Sequence, residues 1–134
     1  MLTELYRYND EKATTERNAR TVENGEKAVF VVFAGGRPEG ELHALFDGDE
    51  ILAKRGCRAY FCDFRVRSES RGKGFGKLLL SGALDMLEKD GYREFTVGIE
   101  AGNARAAHLF GSLGFDVPLP EKSDKKHIFL LKKV

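Results

Sequence analysis

Apolar residues recur along the chain with two different periods, and the changes of period mark out its elements. Leu2 to Tyr8 alternates with both faces partly apolar, as in a strand. Asn9 to Gly25 is polar, with a thin apolar face (Ala13, Ala19, Val22) that suits at most a short helix capped by Asp10 or Thr14. Ala28 to Ala34, A-V-F-V-V-F-A, is a run of β-branched and aromatic residues and predicts a buried strand. Gly35-Gly36-Arg37-Pro38 turns the chain, and Glu41 to Phe46 returns as a strand. Residues 50–56 follow a turn at Asp47-Gly48-Asp49 and show no pattern that assigns them.

Cys57 to Arg67 alternates again, with Tyr60, Cys62, Phe64 and Val66 on one face and Phe61, Asp63 and Arg65 on the other. From Phe75 to Lys89 the period lengthens. Phe75, Leu78, Leu79, Ala83, Met86 and Leu87 fall at spacings of three and four and predict a helix ended by Asp90-Gly91. Glu94 to Glu100 is a strand. Asn103 caps a second helix, whose face is Ala106, Ala107, Phe110 and Leu113 and which ends at Gly114. Phe115 starts a strand that Val117-Pro118-Leu119-Pro120 interrupts, and His127 to Leu131 is the final strand.

This order predicts an α/β protein (α+β in some schemes): a mixed, mostly antiparallel sheet with helices packed on both faces. Residues 57–100 read strand, loop, helix, strand, so those two strands are parallel and joined by a right-handed crossover. A length of 134 residues fits one domain, expected to span 1–134.

Composition narrows the function classes. A hydrophobic share of 42% with 32% charged residues excludes a mostly disordered chain. No run reaches the roughly 18 to 20 apolar residues of a membrane helix. No signal peptide opens the chain, and two cysteines are too few for a disulfide scaffold, so a reduced cytoplasmic protein is expected. Cys57 and Cys62 read as reduced, buried thiols on opposite faces of a strand; His43, His108 and His127 lack metal-ligand spacing. The net charge of +1 hides an asymmetry: residues 1–50 hold 6 Lys and Arg against 11 Asp and Glu, while residues 51–134 hold 16 against 10. A polyanion-coating protein is basic throughout, so nucleic acid is not the expected partner. A local basic site for a phosphorylated ligand fits better.

That site has a candidate. Ser70-Arg71-Gly72-Lys73-Gly74-Phe75-Gly76-Lys77 joins a strand end to a helix start. The first turn of a helix leaves amides unpaired and partly positive, and glycines let a phosphate approach them. Arg71, Lys73 and Lys77 add cations. The glycine spacing matches neither the Walker loop nor the dinucleotide fingerprint.

Arg71-x-x-Gly74-x-Gly76 after a strand resembles the acetyl-CoA signature of the GNAT N-acetyltransferases, R/Q-x-x-G-x-G/A. The run from Asn103 to Phe115 resembles their second block, N-x-x-A-x-x-x-Y-x-x-x-G-F. The resemblance covers residues 57–116 in detail. It implies acetyl-CoA as acetyl donor and a primary amine of a small molecule or peptide as acceptor. It implies that the backbone of Phe64, Arg65 and Val66 meets the pantetheine arm, that the amides of Arg71, Gly72, Lys73, Gly74, Phe75, Gly76 and Lys77 take the pyrophosphate, and that Asn103 and Phe110 border the arm. It also implies that the strands at 57–67 and 94–100 splay apart.

An alkylammonium with a pKa near about 10.4 must lose a proton before it attacks a thioester. Asp63 and Glu100 are the candidate bases, with Glu41 and His43 behind them. Phe110 stands where many relatives carry a proton-donating Tyr. That departure leaves two further readings: a non-catalytic acyl-CoA-binding domain, and a nucleotide- or RNA-binding module using Arg65, Arg67, Arg71 and Lys73. An edge strand near residues 127–134 offers a homodimer contact.

Overall fold

The computed structural model describes residues 3–8 and 26–134. The weak helix expected over Asn9 to Gly25 lies outside the described residues.

Among the described residues seven strands form one sheet: β1 (Thr3–Tyr8), β2 (Lys27–Ala34), β3 (Arg37–Leu45), β4 (Arg58–Val66), β5 (Glu94–Glu100), β6 (Val117–Pro118) and β7 (His127–Lys133). Their order is β1-β2-β3-β4-β5-β7-β6. All neighbours are antiparallel except β4 and β5, which run parallel and are linked by helix α1 (Phe75–Lys89). Helix α2 (Ala104–Ser112) follows β5.

The run A-V-F-V-V-F-A is buried on both faces. Ala28, Phe30, Val32 and Ala34 join the main core, while Val29, Val31 and Phe33 form a small cluster on the reverse face. The turn before β3 is tighter than expected: Gly35 and Gly36, both at positive φ, make it alone, and Arg37 and Pro38 already belong to the strand. A proline is tolerated there, at the first rungs of a hairpin.

Both described helices pack into the main core. In α1 the buried stripe is Phe75, Leu79, Leu80, Ala83, Leu84 and Leu87. Leu78, expected inside, is 42% exposed. Leu80 and Leu84 widen the stripe instead, because a helix lying flat on a sheet buries a broad face. Full burial of each such leucine is worth about 1.5–3 kcal/mol. In α2, Leu109 takes the place expected for Ala107, which is exposed. Phe115 fills the core without being in a strand.

The unassigned stretch 50–56 is turns and coil with an isolated bridge at Lys54, and two side chains anchor its start at Leu52. Asp49 Oδ1 accepts from the amides of Ile51 (2.9 Å) and Leu52 (3.3 Å). The fully buried Thr96 of β5 donates through Oγ1 to the Leu52 carbonyl at 2.6 Å.

Candidate functional site: a wedge between β4 and β5

The parallel ladder between β4 and β5 contains only four pairs, from Arg58–Glu94 to Phe61–Val97. Beyond it the strands separate. β5 keeps its partner β7 along its whole length, so the wedge opens on the β4 side.

The cause lies in β4. Strict alternation predicts Tyr60, Cys62, Phe64 and Val66 on one face. Instead Ala59 and Phe61 join the main core, and Phe64 and Val66 join it too. An extra residue sits between Phe61 and Phe64. Against β3 the register runs Glu41–Arg65 and then His43–Cys62, two residues on one strand facing three on the other. Asp63 carries this bulge with φ of +49°, the one non-glycine at positive φ among the described residues. Such a conformation costs about 1–3 kcal/mol and persists only where the surroundings enforce it. Period-two reasoning cannot see it.

Below the bulge the wedge forms a cleft of about 260 Å³. Asp63 and Glu100, on opposite walls, line it together with Phe64, Asn103 and Phe110. The sequence reading missed the other lining residues, among them Cys62, Gly98 and His127. His127 arrives through cross-strand register opposite Glu100, which no local pattern encodes. Gly98 has a steric reason, since a Cβ there would lie 2.7 Å from the Phe129 ring. A larger surface depression at Asp85, Glu88, Lys89, Arg93 and Val134 lies on other elements and shares none of these residues.

Cys62 is no nucleophile here. Burial, with Asp63 adding to it, pushes the thiol up to about 12, so it stays protonated at neutral pH. Both cysteines are half-buried and free, and Cys57 lies just before β4 rather than in it. Phe110 is buried and meets Phe64 edge-on (5.8 Å, 77°) and Phe115 edge-on (5.3 Å, 87°). Its ring bridges the cleft and the core and offers no proton.

At the upper end of β4 the loop is pinned and then left open. The Ser70 hydroxyl donates to buried Glu39, and the Arg67 amide donates to the Glu39 carbonyl at 2.9 Å. Glu69 is held by Arg67 (2.7 Å) and Arg37 (2.6 Å). The Arg67 hydrogen bond comes first among the causes that bring its carboxyl down to about 2. These contacts fix residues 67–70.

Arg71, Gly72, Lys73 and Gly74 follow, all exposed. Arg71 Nε donates weakly to the Val66 carbonyl at 3.4 Å. Gly74 is the N-cap of α1 at φ +86°, and no side chain caps the helix or places a carboxylate in its first turn. A Cβ on Gly72 or Gly74 would meet nothing within 4 Å. Gly76 differs: its Cβ would stand 3.1 Å from Phe64, so glycine lets the helix lie close on β4. The opening amides of α1 therefore face open space, with Lys73 and Lys77 exposed on the same loop and first turn, which is the donor chemistry that a phosphate group requires.

Asn103 does what its position in the sequence suggests as a cap: Oδ1 accepts from the Ala106 amide at 3.1 Å. Its side-chain NH₂ is a donor and suits a ligand's carbonyl groups. Arg65 is exposed and stands 3.6 Å from Asp63.

Comparison with known proteins agrees with this architecture. No curated protein matches the chain by sequence. Among solved structures, an IAA acetyltransferase from Bacillus cereus superposes with a TM-score of 0.74 at 18% identity, over 99% of this chain and 100% of its own. The PaiA N-acetyltransferase from Thermoplasma acidophilum, solved in complex with coenzyme A, gives 0.75 at 16% identity over 100% of both chains. A GNAT acetyltransferase from Elizabethkingia anophelis with acetyl-CoA bound gives 0.72 at 9% identity over 98% of both. Likenesses at these identities concern the fold. The acetyltransferase (GNAT) family itself matches residues 1–115, and the chain belongs to that family.

Proposed function

We propose that this protein transfers an acetyl group from acetyl-CoA directly to a primary amine of a small molecule or peptide. One observation carries the reading. An uncapped, glycine-opened helix start lies at the end of the same strand whose bulge opens a cleft bearing two carboxylates.

Acetyl-CoA supplies the acetyl group as a thioester. The residues at the helix start fit its phosphates: backbone amides and three cations, with no acidic competitor in the first turn. The amides of Arg71 to Lys77 would hold the pyrophosphate. The backbone of Phe64 to Val66, left without a β5 partner, would meet the pantetheine arm, with Asn103 and Phe110 beside it.

Among the described residues the cleft lining contains Asp63 and Glu100 and no lysine or arginine, which suits a cationic acceptor. Asp63 or Glu100 takes the acceptor's proton, directly or through one water. Either carboxylate also draws in the ammonium form before that transfer. Asp63→Asn and Glu100→Gln separate the two, because the base variant loses about 10²- to 10⁴-fold in kcat/KM.

The deciding experiment is an amine-panel assay with free-thiol detection, run beside a CoA titration. CoA binding with amine-dependent thiol release supports transfer. Absence of CoA binding removes the reading altogether.

Phe110 favours one second reading, a domain that binds acyl-CoA without turning it over. Tight CoA binding with no transfer in the wild type and in Phe110→Tyr would establish it. A gain in rate in Phe110→Tyr would instead mark an enzyme that works without a proton donor at that position.

A further inference from the structure

Behind the cleft wall, on the reverse face of the sheet, four ionisable side chains meet. His43 of β3 is 4% exposed and lies opposite Cys62, beside the bulge. Its Nδ1 is 3.3 Å from Nζ of Lys27, a β2 lysine that is itself only 8% exposed. Its Nε2 is 3.2 Å from Glu41 Oε2. Nδ1 is also 3.8 Å from Asp63 Oδ2, within ion-pair range. The other Asp63 oxygen, Oδ1, is 3.6 Å from Arg65.

We propose that His43, seated between Lys27 and Glu41, is a positioning residue that holds the Asp63 carboxylate at the bulge and aims it into the cleft. This rests on the reading above, in which Asp63 serves the acceptor amine.

The chemistry of the partners fixes the ring. A lysine ammonium has donors only, so Nδ1 facing Lys27 is the acceptor and Nε2 carries the hydrogen that it donates to Glu41. The imidazole is thereby held in one tautomer and one orientation by a cation on one side and an anion on the other. Nδ1 thereby keeps the Lys27 ammonium on the side of the ring where Asp63 Oδ2 lies, so the positive charge behind that oxygen is that of Lys27, while Arg65 faces Oδ1. A backbone turned to positive φ keeps its shape when such contacts over-determine it. A rigid support behind a reacting group matters because a misplacement of about 1 Å costs about 10²-fold. Neither Lys27 nor His43 lines the cleft, so their influence passes through Asp63.

The test uses the whole chain with His43→Leu, His43→Gln, Asp63→Asn and a double variant that combines His43→Leu with Asp63→Asn. In His43→Leu the kcat/KM for the amine falls about 10- to 100-fold while the acetyl-CoA KM stays put. His43→Gln, which keeps an acceptor and a donor, recovers most of that loss. The double variant is no worse than Asp63→Asn alone, since both changes disable one device. Wild-type amine kinetics in folded His43→Leu, or losses that multiply in the double variant, overturn the proposal. Should His43→Leu not fold, His43→Asn, too short to reach both partners, is read in the same way.

A second measurement needs no substrate. The ¹³C carboxyl resonance of Asp63 moves in the His43 variant while that of Glu100 does not. An unmoved Asp63 resonance overturns the role of His43. A wild type that acetylates no amine overturns the acceptor assignment instead, and the resonance still decides the role of His43.

Discussion

Gly74→Asp separates the stability of the helix start from its use as an anion site. The wild-type helix opens with no side-chain cap. An aspartate at this N-cap position offers its own carboxylate to the amides of the first turn. Two effects on stability oppose each other. A side chain at φ +86° costs about 1–2 kcal/mol. Relative to a glycine cap, an aspartate returns only a few tenths of a kcal/mol. A net loss of about 1–1.5 kcal/mol remains, so the melting temperature falls by about 3–8 °C, as it does in Gly74→Ala.

Ligand binding has no such compensation. A carboxylate about 4 Å from a phosphate repels it by about 4 kcal/mol at an effective dielectric of 20. The loop is exposed, and halving that value for screening leaves about 2 kcal/mol, a weakening of about 30-fold. Gly74→Ala is the mirror control. Its Cβ enters empty space, so it suffers the backbone strain, about 1–2 kcal/mol, and keeps its affinity for CoA. Calorimetric titration with CoA and thermal melts on both variants measure each quantity. Wild-type CoA affinity in Gly74→Asp would refute the assignment of the phosphate site.

Three further outcomes are expected. Thr96→Val keeps the shape of a fully buried side chain but strips the Leu52 carbonyl of its partner, and chemical denaturation should show a loss of about 1–3 kcal/mol. The Cys62 thiol is raised from 9.0 to about 12 in the fold, so the unfolded chain loses this proton first. Its contribution to stability is complete below about pH 9 and declines as pH rises toward 12; urea midpoints above pH 9 should fall more steeply in the wild type than in Cys62→Ala. For Glu69 the sign is reversed. Its folded-state value is lowered from 4.5 to about 2, so the Arg37–Glu69–Arg67 contact supports the loop above about pH 4.5 and is lost as pH falls through 2. Glu69→Gln should flatten that acid limb.

The glycine-opened helix start was legible in the sequence because each of its requirements is local. Glycine spacing, flanking cations and a change of hydrophobic period all fall within residues 66–80. The parallel crossover was legible for the same reason. The bulge at Asp63 was not, because it depends on β3 as well as β4, and alternation assumes one residue per rung. The face of α1 was read too narrowly, missing Leu80 and Leu84, and that of α2 was read off-centre, since periodicity reports a centre line and not the width of the surface it meets. His127 entered the cleft through register with Glu100, a pairing 27 positions apart in the chain. The one local trace of the array behind Asp63 was Glu39-x-Glu41-x-His43, three polar residues on one face of a strand whose other face is core.

A strand edge without a partner ordinarily invites association with other chains and, in the worst case, fibre growth. The β4–β5 wedge exposes two such edges, yet it shuts at the Phe61–Val97 rung, and α2 residues Ala106 and Phe110 close over it. A flexible, single-file molecule can thread into that notch and satisfy the bare amides and carbonyls. A rival polypeptide, which needs room for neighbouring strands and side chains on both faces, finds none. The fold thus keeps the β4 and β5 edges beyond that rung available to a ligand while denying them to aggregation.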